Sequence, residues 1–440
     1  MPPALSPQRW PFSLEWLPPA AYLVGGSVRD ALLGRQAAYL DLDFVLPEGA
    51  VQTAKRIANH YQAGYVLLDA QRQIARVVFE GATLDFAAQV GDSLEADLWR
   101  RDFTINAIAY SPHSQELLDP LQGYADLQHR LIRTVQFENL KEDPLRLLRA
   151  YRQAAQLGFE IEPETQRQIR QLSDLLSEIA AERIQSELGY LLSSASGTPF
   201  LQMAWQDGLL SSWLPHATAS SLAQIERLDR AALDPSLAQI LAPDSPQSSS
   251  QSSPQASSRS WLKLAKLAAL LAPDLATAEQ ELWRLKYSRA EIQSVLAVVL
   301  LLPQISPQIS PQISPQRQEP AADSSVRLNS ADDLSTDDLS AAQQYRLFRQ
   351  AGAAFPALAV AGLAAAVQPA VIRALVNRYL DPADPIAHPT ALLSGRDLIT
   401  QLKLPASPVI GQLLEAIQLA HAEGKVSSRS EALAFARTLI

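Results

Sequence analysis

Short β-forming runs crowd residues 20–135 of this sequence and then stop. AAYLV, DLDFVL, GYVLL, ARVVFE, ATLDFA and LIRTV alternate with helical stretches and are punctuated by Gly and Asp turns. From about residue 140 the apolar residues recur at helical spacing instead, as in EDPLRLLRAYRQAAQLGF, WLKLAKLAALLA and AEIQSVLAVVLLL, with Ala and Leu abundant. The pattern predicts an α/β head followed by an all-α neck, body and tail. With 440 residues, 47% of them apolar and 19% charged, the chain can bury a sizeable core.

Two segments break the helical part: 243–260, PDSPQSSSQSSPQASSRS, and 303–340, where QISP repeats three times in tandem. Ser, Gln and Pro at this density cannot offset chain entropy by burial, so both are expected to be disordered insertions, the repeat a product of slippage in a tolerant loop. The expected organisation is an N-terminal extension 1–19, a head 20–137, a neck 138–195, a body 196–380 carrying both insertions, and a helical tail 381–440 after a Pro-rich hinge.

No window approaches the roughly 18 to 20 consecutive apolar residues of a membrane span, and no secretory signal is visible, so no membrane partner and a cytoplasmic location are expected. Zero cysteines exclude disulfides and thiolate metal sites, and the six histidines never fall at metal-ligand spacing. A net charge of -9 argues against a general nucleic-acid coat protein but not against local contact. Residues 341–440 hold nine basic and six acidic side chains, whereas 317–340 hold six acids and two arginines. A homo-oligomer is compatible with all of this.

The chemistry starts at YLVGGSVRDALLGR and AAYLDLDFVL. A strand ending at Val24 runs into Gly25 and Gly26, which let the backbone approach a ligand, and a helix opening at Val28, Arg29 and Asp30 would favour an anion at its N-terminus. Asp41 and Asp43, at i and i+2 on a strand, project from one face and suit divalent cations. A two-metal nucleotidyl-transfer site would need a third acid. Asp85 is the candidate, on the second arm of a hairpin turning at Glu80-Gly81; a strand-end or salt-bridged aspartate is the other reading.

In DLWRRDFTINAIAY, Arg100 and Arg101 are expected to project in different directions, with Arg101 on a nucleotide triphosphate. Asp102 and Asn106, four apart on an expected helix, suit either the nucleotide sugar or the internal hydrogen bonds of the head. Asp143, Arg146, Arg149 and Arg152 recur every third residue, which on one helix places them along one side. An acid and arginines there match the Watson–Crick edges of cytosine and adenine, although such rows are commonly salt-bridged surfaces.

Together GGSVRD, DLD, RRDFTINA, DPLQGYADLQHRLIR, EDPLRLLRA and AERIQSEL, in this order over about residues 20 to 190, make the head resemble the bacterial-type tRNA nucleotidyltransferase and poly(A) polymerase family of the DNA polymerase beta-type superfamily. The resemblance implies a five-stranded mixed sheet in the head and helical domains that hold the acceptor arm of tRNA. It implies Asp41 and Asp43 as ligands of two Mg²⁺ ions. Gly26, Arg29, Arg101, Arg149 and Arg152 become nucleotide contacts, and Asp143 and Arg146 become readers of CTP and ATP. Glu182, Arg183 and Glu187 fall in a neck-stabilising helix.

The expected activity is template-independent C-C-A addition to tRNA 3′ ends. Many family members that add the whole triplet carry a longer flexible loop before RRDFTINA. Here only FAAQVGDSLEADLW separates Asp85 from Arg100, a feature of members that add only C-C or only A, and a partial enzyme is the alternative. A poly(A) polymerase would be expected to carry a strongly basic C-terminal extension, and a non-catalytic tRNA-binding protein would have no use for the carboxylates. No His-Asp phosphohydrolase motif is present.

Overall fold

The computed structural model describes residues 3–35, 39–194, 196–241, 261–306 and 339–440. The chain divides into two compact units, Met1–Trp213 and Leu214–Ile440.

The first unit is built on a sheet of β1 (Tyr22–Val24), β2 (Leu40–Leu46), β3 (Gly64–Asp69), β4 (Ile74–Phe79), β5 (Ala82–Ala88), β6 (Ala109–Tyr110) and β7 (Leu117–Leu118), in the order β3-β4-β5-β2-β1-β6-β7. Seven strands stand where five were expected. The additional pair, β6 and β7, arises because Ala109–Tyr110, just beyond the helix expected around Asp102 and Asn106, pairs with β1. Only β2 and β5 run parallel; the other neighbours are antiparallel.

Alternation along β2 sends Leu42, Phe44 and Leu46 to a buried face and Asp41 and Asp43 to the opposite one. On the buried face Phe44 stacks on Phe86 at 5.2 Å and meets Trp10 edge-on at 5.2 Å. The N-terminal segment, with Leu5, Trp10, Phe12 and Leu17 buried, therefore forms part of the head's core. Helix α1 (Gly26–Leu32) follows β1, α2 (Ala50–Tyr61) packs on β4 and β5, and α3 (Leu94–Trp99) follows β5.

After α4 (Gly123–His129), β8 (Leu131–Ile132) and α5 (Phe137–Glu142), the neck begins with α6 (Leu145–Leu157). Pro144 caps α6, in line with its expected place in the first turn of a helix, and Asp143 just before it takes φ -135°, because a residue preceding proline is driven out of the helical region. A strand also survives beyond residue 140: β9 (Glu160–Ile161) pairs in parallel with β8. Helices α7 (Pro163–Gln171), α8 (Ala181–Ser193) and α9 (Gly197–Gln206) complete the unit, with α6 packed against α8 and α9.

The second unit is helical throughout its described residues: α10 (Ala219–Ala231), α11 (Ala238–Leu241), α12 (Trp261–Leu270), α13 (Leu275–Arg284), α14 (Arg289–Ile305), α15 (Ala341–Ala351), α16 (Phe355–Ala364), α17 (Pro369–Leu380), α18 (Gly395–Leu402), α19 (Pro408–Ala422) and α20 (Arg429–Thr438). Ser288 and Ser394 open α14 and α18 through reciprocal caps with Glu291 and Asp397. The run Ala341–Ala364 is long and apolar enough to cross a membrane by length and composition, with mean hydropathy 1.3, yet 72% of that window is buried inside the protein. It is also interrupted at Gly352, φ 48°, so it serves as two core helices.

The expected insertion 243–260 lies outside the described residues, as does 307–338 of the second. Its edges are ordered, which corrects the boundary: Pro303 lies inside α14, Ile305 is buried, and Ser306 Oγ donates to the carbonyl of Ala365 at 3.2 Å.

Candidate nucleotidyl-transfer site

Parallel pairing of β2 with β5 sets Asp43 directly opposite Asp85, and antiparallel pairing of β4 with β5 sets Arg76 opposite Asp85 on the other side. Three adjacent strands thus carry two carboxylates and a guanidinium in one row, with Asp41 two residues along. Burial, reinforced by the Asp41 and Asp85 charges, pushes Asp43 up to about 6 against the pull of Arg101 and Arg76. Asp41 is raised too, by burial and then by Asp85. This surplus of negative charge on hard oxygen donors fits a divalent cation at Asp41 and Asp43.

Asp85 sits differently. Arg76 donates from Nε to Oδ1 at 2.7 Å and from Nη2 to Oδ2 at 2.8 Å, so both carboxylate oxygens accept from one guanidinium. Among the described residues no three His, Asp or Glu side chains converge as metal ligands. The expected third ligand is therefore in the right row but turned onto Arg76, the salt-bridged alternative for this residue.

Gly25 precedes α1 with φ 75° and ψ -142°, a conformation that L side chains rarely adopt. A Cβ there would lie 3.4 Å from Arg101 Nη1 and 3.5 Å from Asp43 Oδ2, so its bareness brings backbone, guanidinium and carboxylate together. The helix starts at Gly26 rather than Val28 and has only seven residues, so the anion preference rests on Arg29 and Arg101 more than on a helix dipole.

The two adjacent arginines do not diverge as expected. Arg100 donates through Nε at 3.1 Å and Nη2 at 2.9 Å to Asp97 Oδ1, and Arg101 through Nη2 at 3.0 Å to Oδ2 of the same residue. Asp97 was not singled out from the sequence, although it stands three and four residues before the arginines, the spacing that shares a helical face.

Asp102 and Asn106 do meet, but across a turn ending in the short 3₁₀ segment Thr104–Asn106 rather than on an α-helix: Asn106 Nδ2 donates to Asp102 Oδ1 at 2.9 Å. A buried network grows from them. Arg149 donates twice to Asp102 Oδ2, at 3.1 and 2.9 Å, and Arg29 Nη1 donates to Asn106 Oδ1 at 2.7 Å. Gln153 Oε1 accepts from Asn106 at 3.0 Å and from Arg29 at 3.4 Å. Burial works to raise the pKa of Asp102, but Arg149, Asn106 and the Phe103 N–H outweigh it and hold the carboxyl below its ordinary range. Gln153 was missed because nothing local marks it.

The row expected on one helix is dispersed among partners. Asp143, outside α6, accepts from Arg183 at 2.9 Å. Arg146 Nη1 donates to the carbonyls of Arg100 at 2.9 Å and Asn139 at 3.1 Å. Arg152 donates to Glu187 and lies 5.7 Å from the ring centroid of Tyr190. The neck helix α8, carrying Arg183 and Glu187, thus braces both ends of the row, in keeping with its expected structural part. A cavity of about 610 Å³, lined by Arg29, Arg35, Gln153, Gln156 and Tyr190 among others, opens beside α1, α6 and α8.

A strand-borne Asp-x-Asp pair, a Gly-Gly turn and nearby arginines on a mixed sheet, followed by a helical neck, define a nucleotidyltransferase. Three family models match in chain order: the poly(A) polymerase head domain over 21–133, the probable RNA and SrmB-binding site of polymerase A over 158–220, and a putative tRNA nucleotidyltransferase domain 2 over 253–436. The CC-adding tRNA nucleotidyltransferase of Synechocystis sp. is 45% identical over 436 residues, covering 98% of this chain and 96% of the relative, and the chain belongs to the tRNA nucleotidyltransferase and poly(A) polymerase family. The A-adding tRNA nucleotidyltransferase of Deinococcus radiodurans is 31% identical, with 95% of each chain covered. A solved complex of a CCA-adding enzyme with ATP shares the fold, with TM-score 0.70 at 22% identity over 96% of this chain and 91% of that one.

Proposed function

We propose that this enzyme transfers cytidylate from CTP to the 3′ end of tRNA without a nucleic-acid template, and that it stops after two additions. The observation that carries the second half is the connection between β5 and α3, residues 89–93, only five long. It is too short to swing, and full-length similarity to a CC-adding relative points the same way. Addition of the whole C-C-A triplet, the first expectation from the sequence, would need the base-reading side chains to be reset from C to A with no movable loop beside them.

In this reading Asp41 and Asp43 hold Mg²⁺, which when bound lowers the pKa of the attacking ribose hydroxyl and neutralises charge on the triphosphate. Asp85, fixed by Arg76, sets the field at those two carboxylates. Arg101 and Arg29 bind the triphosphate beside the open backbone of Gly25 and Gly26. Asp102, Asn106, Arg149 and Arg152 border the nucleotide, and Asp143 and Arg146 read the base edge. The helical second unit holds the tRNA acceptor arm, and the work takes place in the cytoplasm.

Three tRNA transcripts, ending before the triplet, after one C and after both, test this at single-nucleotide resolution with CTP, ATP or both. Growth of the first two to C-C and no further is expected. Completion of the triplet would replace the reading with full C-C-A addition, and extension only of the third by A would replace it with A addition. Asp41→Asn and Asp43→Asn should abolish transfer while tRNA binding persists; turnover by either in Mg²⁺ removes them from the metal site.

A further inference from the structure

Asp97 is completely buried on α3, and its carboxylate gathers donors from three places. Besides the two arginines, its Oδ1 accepts from the Val90 N–H at 3.2 Å, in the connection that follows β5. One anion faces two guanidinium cations, so the cluster keeps a net positive charge. Arg100 is the more exposed of the pair, at 46% of its side chain against 21% for Arg101. Arg101 spans the gap: Nη2 is held by Asp97, Nη1 reaches toward Gly25 and Asp43, and its buried Nε has no hydrogen-bond partner.

We propose that Asp97 is a positioning residue for the reaction, fixing the β5–α3 connection and the Arg101 guanidinium through one carboxylate so that Arg101 is preset toward the triphosphate of the incoming nucleotide. A free arginine would lose side-chain entropy on meeting a phosphate; one already held at one edge loses less, and the gain appears as affinity. Arg100, bound to the same oxygen as Val90 N–H, covers the carboxylate from the more exposed side. The proposal rests on the nucleotidyltransferase reading and adds to it a residue that never touches the nucleotide.

A double-mutant cycle on the full-length enzyme tests it, with Asp97→Asn, Arg101→Gln and the double variant read twice: as Kd for CTP with Mg²⁺, and as kcat/KM for CTP and for tRNA. Asp97→Asn should weaken CTP binding by about 10-fold or more and leave the KM for tRNA unchanged, and the double variant should be no worse than Arg101→Gln within about threefold. Arg100→Gln should cost only a few-fold, roughly. Additive losses, or an equal rise in both KM values, would mean that Asp97 merely holds the fold and would overturn the proposal. Should Asp97→Asn fail to fold, Arg101→Lys asks the same question. An ammonium cannot span Asp97 and the Gly25 side together, so CTP affinity should fall nearly as far as in Arg101→Gln; wild-type affinity would overturn the link. A wild-type enzyme that binds CTP but extends no tRNA would count against the proposed function and leave the binding cycle readable.

Discussion

Asp85 and Arg76 face each other across β5 and β4 and share two hydrogen bonds, at 2.7 and 2.8 Å, directly beside Asp43. The guanidinium is the nearest compensation that the sheet offers to three carboxylates on one face. Arg76→Gln should therefore destabilise the metal-free protein by about 1–2 kcal/mol, less than a fully buried pair because Arg76 is 41% exposed. Thermal melts in EDTA and in Mg²⁺ check this: the loss should shrink when the cation supplies the missing charge. An equal loss in both would show that Arg76 matters only for packing.

Asp102 predicts a pH dependence. Its carboxyl is held below the ordinary range, so it contributes stability that is present above the unfolded value of about 4 and lost as pH falls through its folded pKa. Asp102→Asn should cost about 1–3 kcal/mol at pH 7, since Arg149 and Asn106 lose their charged acceptor, and the gap to wild type should close on acidification below about pH 4. Chemical denaturation across pH 3 to 8, roughly, measures it; a gap independent of pH would remove the ion pair from the explanation.

Base choice should follow Asp143 and Arg146. Replacing either with Ala removes a donor or acceptor for the base edge, and misincorporation of UTP relative to CTP should rise by roughly 10- to 100-fold. Arg183→Gln, which only releases Asp143 from its partner at 2.9 Å, should relax choice by a smaller factor. Competition between CTP and UTP on one transcript is the measurement, and unchanged selectivity in the Ala variants would move base reading elsewhere.

Gly123 opens α4 against the turn that carries Asn106. A Cβ there would stand 2.1 Å from the carbonyl oxygen of Thr104, while Thr104 Oγ1 donates to Asp126 on the same helix at 2.7 Å. Helix and turn cannot separate without breaking that bond, so Gly123→Ala should cost about 2–3 kcal/mol and lower the melting temperature by several degrees. A melt within a degree of wild type would show that the turn yields freely.

Much of this site is a matter of spacing, and spacing is legible in a sequence. Alternation puts Asp41 and Asp43 on one face of β2, and the two-residue turn at Glu80-Gly81 counts Arg76 opposite Asp85, a partner available from the sequence although the salt-bridged alternative for Asp85 named none. The i+3 and i+4 steps from Asp97 to Arg100 and Arg101 are equally local. Where a short run has no marked period the reading stopped short: Pro144 marks the start of α6 as expected, but nothing local announces that Ala109–Tyr110 will pair with the edge of β1.

The sequence by itself thus determined the strands that carry Asp41, Asp43 and Asp85, the hairpin register and the membership of the head, because these depend on periods of two and 3.6 residues and on turn chemistry. Only the tertiary structure decided what meets across long separations. Gln153 reaches Arg29 over 124 positions and Asn106 over 47, and Arg183 reaches Asp143 over 40. Those partners are chosen by how α6 and α8 pack on the head, where a buried polar group must find a donor or acceptor wherever the packing places one, and no local pattern records that choice.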